Sequence, residues 1–394
     1  MRTIGAAALA LAAFVTVTSF AQGDGEQWLQ YTTSPQYIRI PYRVYEPVCE
    51  STKTAPDGVA LPAFKGSTQL YAKWLTPMVE AGYLWMAFDR TGLHGYDALY
   101  IDSNCDGSLA GETPVKPLFV TGDGTRFEAA KIVFPGEDGP ITYHLYVSVS
   151  GSANEEFVTA GAGCWYKGTI KAGGSAYEIA LVDYDSNGTF DDTSDKYFEA
   201  DQILVKQGDE MAVSCVGKYI QLGGALYEPQ VARDGASIGI APAAEAPMGT
   251  LRVPDAITRL AIHGLNGLLR YEPAKGAANV PAGSYRVYEW EIDRTDTAGR
   301  KFTVVANAWL AIGAPFEIVE GKETALDIGE PFRATIGVAA RGPGEHLLDE
   351  TLQARGGEYL IMYQKDKKEY APAPNVRITN ADGTYNRVFA TQYG

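Results

Sequence analysis

Short runs that alternate apolar and polar residues, separated by Gly, Asp, Asn and Pro, constrain this chain more than any other feature. Tyr37-Ile38-Arg39-Ile40-Pro41-Tyr42-Arg43-Val44-Tyr45 is one, and Ile141-Thr142-Tyr143-His144-Leu145-Tyr146-Val147 another. Ser284 to Ile292 and Lys301 to Val305 repeat the pattern later. A period of two places every second side chain on one face of an extended strand, and the Tyr and Val content suits a half-buried sheet. Helical spacing is confined to Ser67–Ala81, where Pro77 interrupts it. The chain therefore reads as mainly β with very little helix. One core stops growing at roughly 250–300 residues, so two or three β-sandwich-like domains in tandem are expected. The aperiodic stretch Ala241-Pro242-Ala243-Ala244-Glu245-Ala246-Pro247 and a weaker break at Ser150–Glu155 divide the chain into modules 22–150, 151–245 and 246–394.

Residues 1–21 read as a signal peptide. Arg2 precedes an apolar core from Ile4 to Val17, and Ser19-Phe20-Ala21 offers small residues for cleavage before Gln22. No later stretch approaches the about 20 apolar residues of a membrane-spanning helix. An exported protein is expected, periplasmic, cell-surface or extracellular, without membrane insertion after cleavage. The chain carries 33 Lys and Arg against 48 Asp and Glu, a net charge of −15. That argues against nucleic acid or an anionic membrane as partner and suits a protein that holds cations. Cys49, Cys105, Cys164 and Cys215 allow two disulfides in an oxidising compartment. Pairing neighbours in sequence gives Cys49–Cys105 and Cys164–Cys215, each closing about 50 residues and worth roughly 4 kcal/mol. Free, buried cysteines are the alternative.

Two acidic loops hold the most specific chemistry. Leu99-Tyr100-Ile101 runs into Asp102-Ser103-Asn104-Cys105-Asp106-Gly107-Ser108, and Ala180-Leu181-Val182 runs into Asp183-Tyr184-Asp185-Ser186-Asn187-Gly188-Thr189. Calcium takes six to eight oxygen ligands, and side chains at loop positions 1, 3 and 5 converge when glycine turns the chain at position 6. Asp102, Asn104 and Asp106 meet that rule, as do Asp183, Asp185 and Asn187. Ser108 and Thr189 stand at position 7, where a backbone carbonyl is the usual ligand. The closing ligand is irregular: Glu112 in the first loop, and Asp191, Asp192 or Asp195 in the second. With no helix before either loop, a true EF-hand is not expected. The bland reading makes both loops Asp/Asn/Gly turns that cap their own backbone.

These loops are similar to the strand-borne calcium loops of thrombospondin type 3 repeats and dockerins. With the closing segments Pro374–Ile378 and Asp382–Gly394 they resemble a group of exported, uncharacterised multidomain proteins of environmental bacteria, though Cys105 departs from the glycine or polar residue usual there. Val280-Pro281-Ala282-Gly283-Ser284-Tyr285-Arg286-Val287 and Phe316–Gly321 resemble transthyretin-like or carboxypeptidase-regulatory-like β-sandwich modules, which implies a binding or spacer role for residues 246–394.

Catalytic signatures are weak. His94, His144, His263 and His346 form neither HxH nor HExxH. Gly235-Ala236-Ser237-Ile238-Gly239 matches GxSxG, but no helix follows it as a nucleophile elbow requires. The expectation is a calcium-binding structural or interaction protein without catalysis, facing an unknown protein or glycan. The alternatives are a secreted polysaccharide hydrolase using an Asp/Glu pair, or an array of carbohydrate-binding modules with Trp165, Tyr166 or Trp290 stacked on sugars.

Overall fold

A computed structural model describes residues 24–33, 41–92, 95–122, 124–152, 155–307, 313–343, 345–364, 369–373 and 375–391. The expected signal peptide lies outside them. Strands make up nearly all the regular structure, and the one helical element among the described residues is the 3-10 turn Tyr197–Glu199. No described helix is long and apolar enough to cross a membrane.

Several separate sheets account for the strands. One nine-stranded sheet runs from Ala98–Ile101 at one edge, through Tyr83–Arg90, Thr68–Leu75, Val48–Thr52, Glu155–Ala162, Ile141–Ser152 and Gly124–Phe127, to Pro117–Thr121 at the other, with Ala130–Phe134 on Ile141–Ser152. A five-stranded sheet follows the order Glu210–Cys215, Gln202–Gln207, Ser175–Val182, Cys164–Ala172 and Gln30–Thr33. A four-stranded sheet built on Ser237–Pro242 and Ala225–Val231 completes this half. A second nine-stranded sheet, built on Arg259–Gly264, Gly283–Thr295 and Lys301–Asn307, and a three-stranded sheet around Met248–Arg252 occupy the C-terminal half.

Burial explains the layering. Trp74, Phe88, Phe134, Tyr143 and Phe190 are almost completely enclosed and belong to one cluster reaching from Cys49 to Ile240. Trp74 lies on the Tyr143 ring at 5.6 Å between centroids. A second cluster gathers Leu251, Tyr285, Trp290 and Ile292. Position 150 falls inside the strand Ile141–Ser152, which pairs with Glu155–Ala162, and the first cluster draws on both sides of it. Residues beyond 246 supply most of the second cluster.

Three local expectations need correction. Ser67–Ala81 forms the strand Thr68–Leu75 followed by a turn: its apolar positions pack alternately in a sheet, and Pro77 blocks a helix. Of the alternating run Tyr37–Tyr45, residues 37–40 lie outside the described residues and 41–45 form no strand: Pro41 lacks the N–H that a ladder needs, and Tyr45 N–H donates to the Tyr184 carbonyl outside a ladder. The four cysteines are free thiols. Cys164 and Cys215 lie on strands separated by two others in the five-stranded sheet. Three strand spacings are about 14 Å, double the roughly 7 Å reach of a disulfide. Cys49 lies on Val48–Thr52 and Cys105 in the loop after Ala98–Ile101, strands that Thr68–Leu75 and Tyr83–Arg90 separate, and both are free.

Candidate metal centre

Both acidic loops have one backbone geometry. Position 4 is left-handed in each although neither residue is glycine: Cys105 has φ 62° and Ser186 φ 61°. Position 6 is glycine with φ 80° at Gly107 and 98° at Gly188. The first aspartate then accepts the N–H groups of positions 5 and 6. Asp102 takes those of Asp106 at 3.0 Å and Gly107 at 2.9 Å. Asp183 takes those of Asn187 at 3.2 Å and Gly188 at 2.7 Å. The sequence repeat is thus a repeat of conformation.

Surroundings separate them. Ala98–Ile101, which delivers the first loop, is an edge strand, and Asn104 and Asp106 are exposed. Asn104 Nδ2 donates to Asp106, Ser108 N–H donates to Asp106 Oδ1, and Ser103 donates twice to Glu112. The loop's oxygens are largely occupied by its own donors, as in plain Asx turns.

The second loop enters the core. Ser175–Val182 lies inside the five-stranded sheet, and Asp183 beyond it is completely buried. Tyr143 Oη donates to Asp183 Oδ2 at 2.7 Å. Trp74 Nε1 donates to the Ser186 carbonyl at 2.8 Å. Ser186 Oγ accepts from Ala162 N–H and donates to the Tyr45 carbonyl. These bonds hold the left-handed residue from three directions.

The strand register brings in a residue that the loop pattern omits. Val182 pairs with Gln202 in antiparallel register, so one step further Asp183 stands opposite Asp201. Asp183, Asp185 and Asp201 offer carboxylate oxygens that all lie within 4.8 Å of one another. Oxygens bound to one calcium at about 2.3–2.6 Å lie no more than roughly 5 Å apart, so the trio meets the spacing. Asp201 is fully buried and accepts N–H bonds from Tyr184 and Asp192, both at 2.9 Å. Asp185 Oδ1 is buried without a hydrogen-bond partner. Of the closing candidates, Asp192 faces inward, accepting from Asn187 Nδ2 at 2.9 Å and from Thr189 Oγ1, while Asp191 and Asp195 are exposed. Asn187 Oδ1 accepts from Thr189 N–H and Oγ1, and Thr189 itself is buried.

Three close carboxylates resist ionisation together. Burial, opposed by hydrogen bonds, pushes Asp183 up to about 6. Burial, then repulsion from Asp183 and Asp192, pushes Asp185 up to about 9. Asp201 is also driven upward, by burial first and then by Asp183, Asp192 and Asp185. Such a cluster needs protons or a cation at neutral pH. Its donors are oxygens only, which fits a hard ion such as calcium better than zinc, whose protein sites favour nitrogen and sulfur.

The loop pattern in the sequence misses Asp201; its one local signal is that it heads the apolar run Gln202–Gln207, whose antiparallel return to Ser175–Val182 only the strand register shows. Other sequence candidates go elsewhere. Ser237 lies in the strand Ser237–Pro242 and donates to Glu26 Oε1 at 2.7 Å, away from any strand-to-helix turn. His144 Nδ1 is 2.6 Å from Tyr31 Oη, and His263 is buried. Trp165, Tyr166 and Trp290 are buried too, which leaves none of them exposed for stacking on a sugar. Comparison with known proteins adds no identity: no family model, no curated protein and no solved structure matches the chain.

Proposed function

We propose that this chain is an exported calcium-binding structural or interaction protein of the cell surface or periplasm, and that it performs no catalysis. Calcium belongs in the second loop, held by Asp183, Asp185 and Asp201, with Asp192, Asn187 and the Thr189 carbonyl completing an oxygen shell. One observation carries the reading: three carboxylates within 4.8 Å of one another converge where Asp185 Oδ1 is buried without a partner. A divalent cation there neutralises carboxylates that otherwise repel, and it ties the loop to Asp201 at the head of the next strand. The metal's role is mechanical, because it locks a loop that already contacts Trp74, Tyr143 and Ala162 across the core.

Extracellular calcium modules bind with dissociation constants of about 0.1–1 mM. At ten times such a constant, one site adds about 1.4 kcal/mol to the native state. Thermal melts in EGTA and in added calcium should therefore differ by a few degrees. An unchanged melting temperature would remove calcium from the account and leave a protonated carboxylate cluster.

A further inference from the structure

The second nine-stranded sheet ends in a hairpin that outruns its core. Arg333–Gly342 and Glu345–Gln353 pair along their length, while the one register pair joining the hairpin to the rest of the sheet is Gln353 with Tyr359. At its root Leu352 packs against the C-terminal core. The same face continues outward as the pairs Ile336/Glu350, Val338/Leu348 and Ala340/His346. Ile336 is 54% exposed and Val338 65%. Past the core, that face is an apolar strip with one carboxylate, Glu350.

A second uncovered hairpin closes the described chain. Asn375–Thr379 and Asn386–Ala390 form a two-stranded sheet of their own. One face carries the pairs Val376/Phe389 and Ile378/Arg387, with Phe389 41% exposed. Its single charge is Arg387. A lone two-stranded hairpin is marginally stable in water, so this one needs a cover.

We propose that these faces are the two halves of one contact between copies of this chain: the 375–390 hairpin of one copy packs face to face on the 333–353 hairpin of another, and Arg387 meets Glu350. The charges select this pairing. Among the described residues neither Glu350 nor Arg387 has an ion-pair partner, although Arg387 lies 5.8 Å from the centre of the Tyr385 ring, and each is the one Asp, Glu, Lys or Arg of its face. Residues 375–391 carry Arg377 and Arg387 against Asp382, a net positive segment in a chain of −15. Residues 333–353 carry Arg333 and Arg341 against Glu345, Asp349 and Glu350, a net negative one. Within one copy neither hairpin covers the other, since both faces stay exposed. Sheets stack at about 10 Å, so two such faces give a short sandwich, with the ion pair fixing its register. The faces differ, so reciprocal exchange closes a dimer and one-way exchange builds a chain of copies. The metal centre takes no part in this contact.

Light scattering on the size-exclusion peak of the full mature chain tests the idea, with Glu350→Arg, Arg387→Glu and the double reversal beside the unmutated protein. The expected result is a dimer or larger species for the unmutated chain, monomers for each single reversal, and recovery of assembly in the double reversal. Both positions are exposed, so circular dichroism melts should be unchanged and separate loss of assembly from loss of fold. A monomeric unmutated chain would overturn the proposal, including one whose two hairpins are protected from hydrogen exchange by docking within the same copy. So would assembly indifferent to both single reversals, or a double reversal that stays monomeric.

Discussion

The two acidic loops share a backbone and differ in what the next strand brings. Each has a left-handed fourth residue, a glycine at position 6, and a first aspartate holding the N–H groups of positions 5 and 6. The first follows an edge strand and closes on its own side chains. The second follows an interior strand whose neighbour, Gln202–Gln207, returns with Asp201 at its head. The aspartate/glycine pattern thus specifies a turn, and the sheet around it determines whether further buried carboxylates converge on that turn. Enclosure does the rest, because buried carboxylates cannot rely on water to separate their charges.

The largest separation should come from removing the first aspartate of each loop. Asp183→Ala strips a buried Tyr143 hydroxyl and two loop N–H groups of their acceptor and should cost on the order of 3 kcal/mol or more. It should also abolish most of the calcium-induced rise in melting temperature. Asp102→Ala leaves its donors nearer water, should cost about 1 kcal/mol, and should keep most of the calcium response. Equal losses of the calcium response would erase the distinction between the loops.

Asp185→Asn should act in opposite directions with and without metal. It relieves repulsion, so the EGTA-treated variant should melt above the EGTA-treated parent, yet calcium should no longer raise it. The parent's pH dependence has the same origin. Asp183 at about 6 and Asp185 at about 9 both stand above the roughly 3.9 of an unfolded aspartate. Their contribution in the metal-free chain is fully present below about pH 4 and is lost as pH rises through about 6 and then about 9. Replacement of those protons by calcium should widen the difference between melts in calcium and in EGTA from pH 5 to pH 9. A constant difference would show that the carboxylates are already ionised without metal.

Smaller effects probe the enclosure. A methyl group at Gly188 would meet Thr76 Oγ1 at 3.1 Å and the Trp74 ring at 3.3 Å, whereas one at Gly107 meets nothing within 4 Å. Both glycines have positive φ, so each alanine variant should lose about 1 kcal/mol to backbone strain, with a further loss at Gly188 alone. Ser186→Ala removes two buried hydrogen bonds and should cost about 1–2 kcal/mol. Cys105→Ala, at the matching position, loses a thiol 3.6 Å from the Val133 carbonyl and should stay within about 0.5 kcal/mol. Urea melts would rank all four.

The sequence made the strand content and the two loops readable because both are local. Alternation in Ile141–Val147 and Ser284–Ile292 needs only a window of neighbours, and Asp, Asn and Gly at fixed offsets determine a turn by themselves. What it hid was long-range. Asp201 reaches Asp183 through a strand register. The cysteines are kept apart by strand order, which spacing along the chain does not encode. In 41–45 the alternation was real, but Pro41 has no N–H to give a ladder, and Tyr45 N–H bonds Tyr184 elsewhere.

Metal binding should require Asp201 and the second loop and be indifferent to the first. Calorimetric titration of calcium into EGTA-stripped, dialysed protein tests this most directly, with Asp201→Asn and Asp102→Asn beside the parent. The account predicts a single binding event in the parent and in Asp102→Asn, accompanied by proton release, and none in Asp201→Asn. Binding that survives Asp201→Asn and disappears in Asp102→Asn would contradict it.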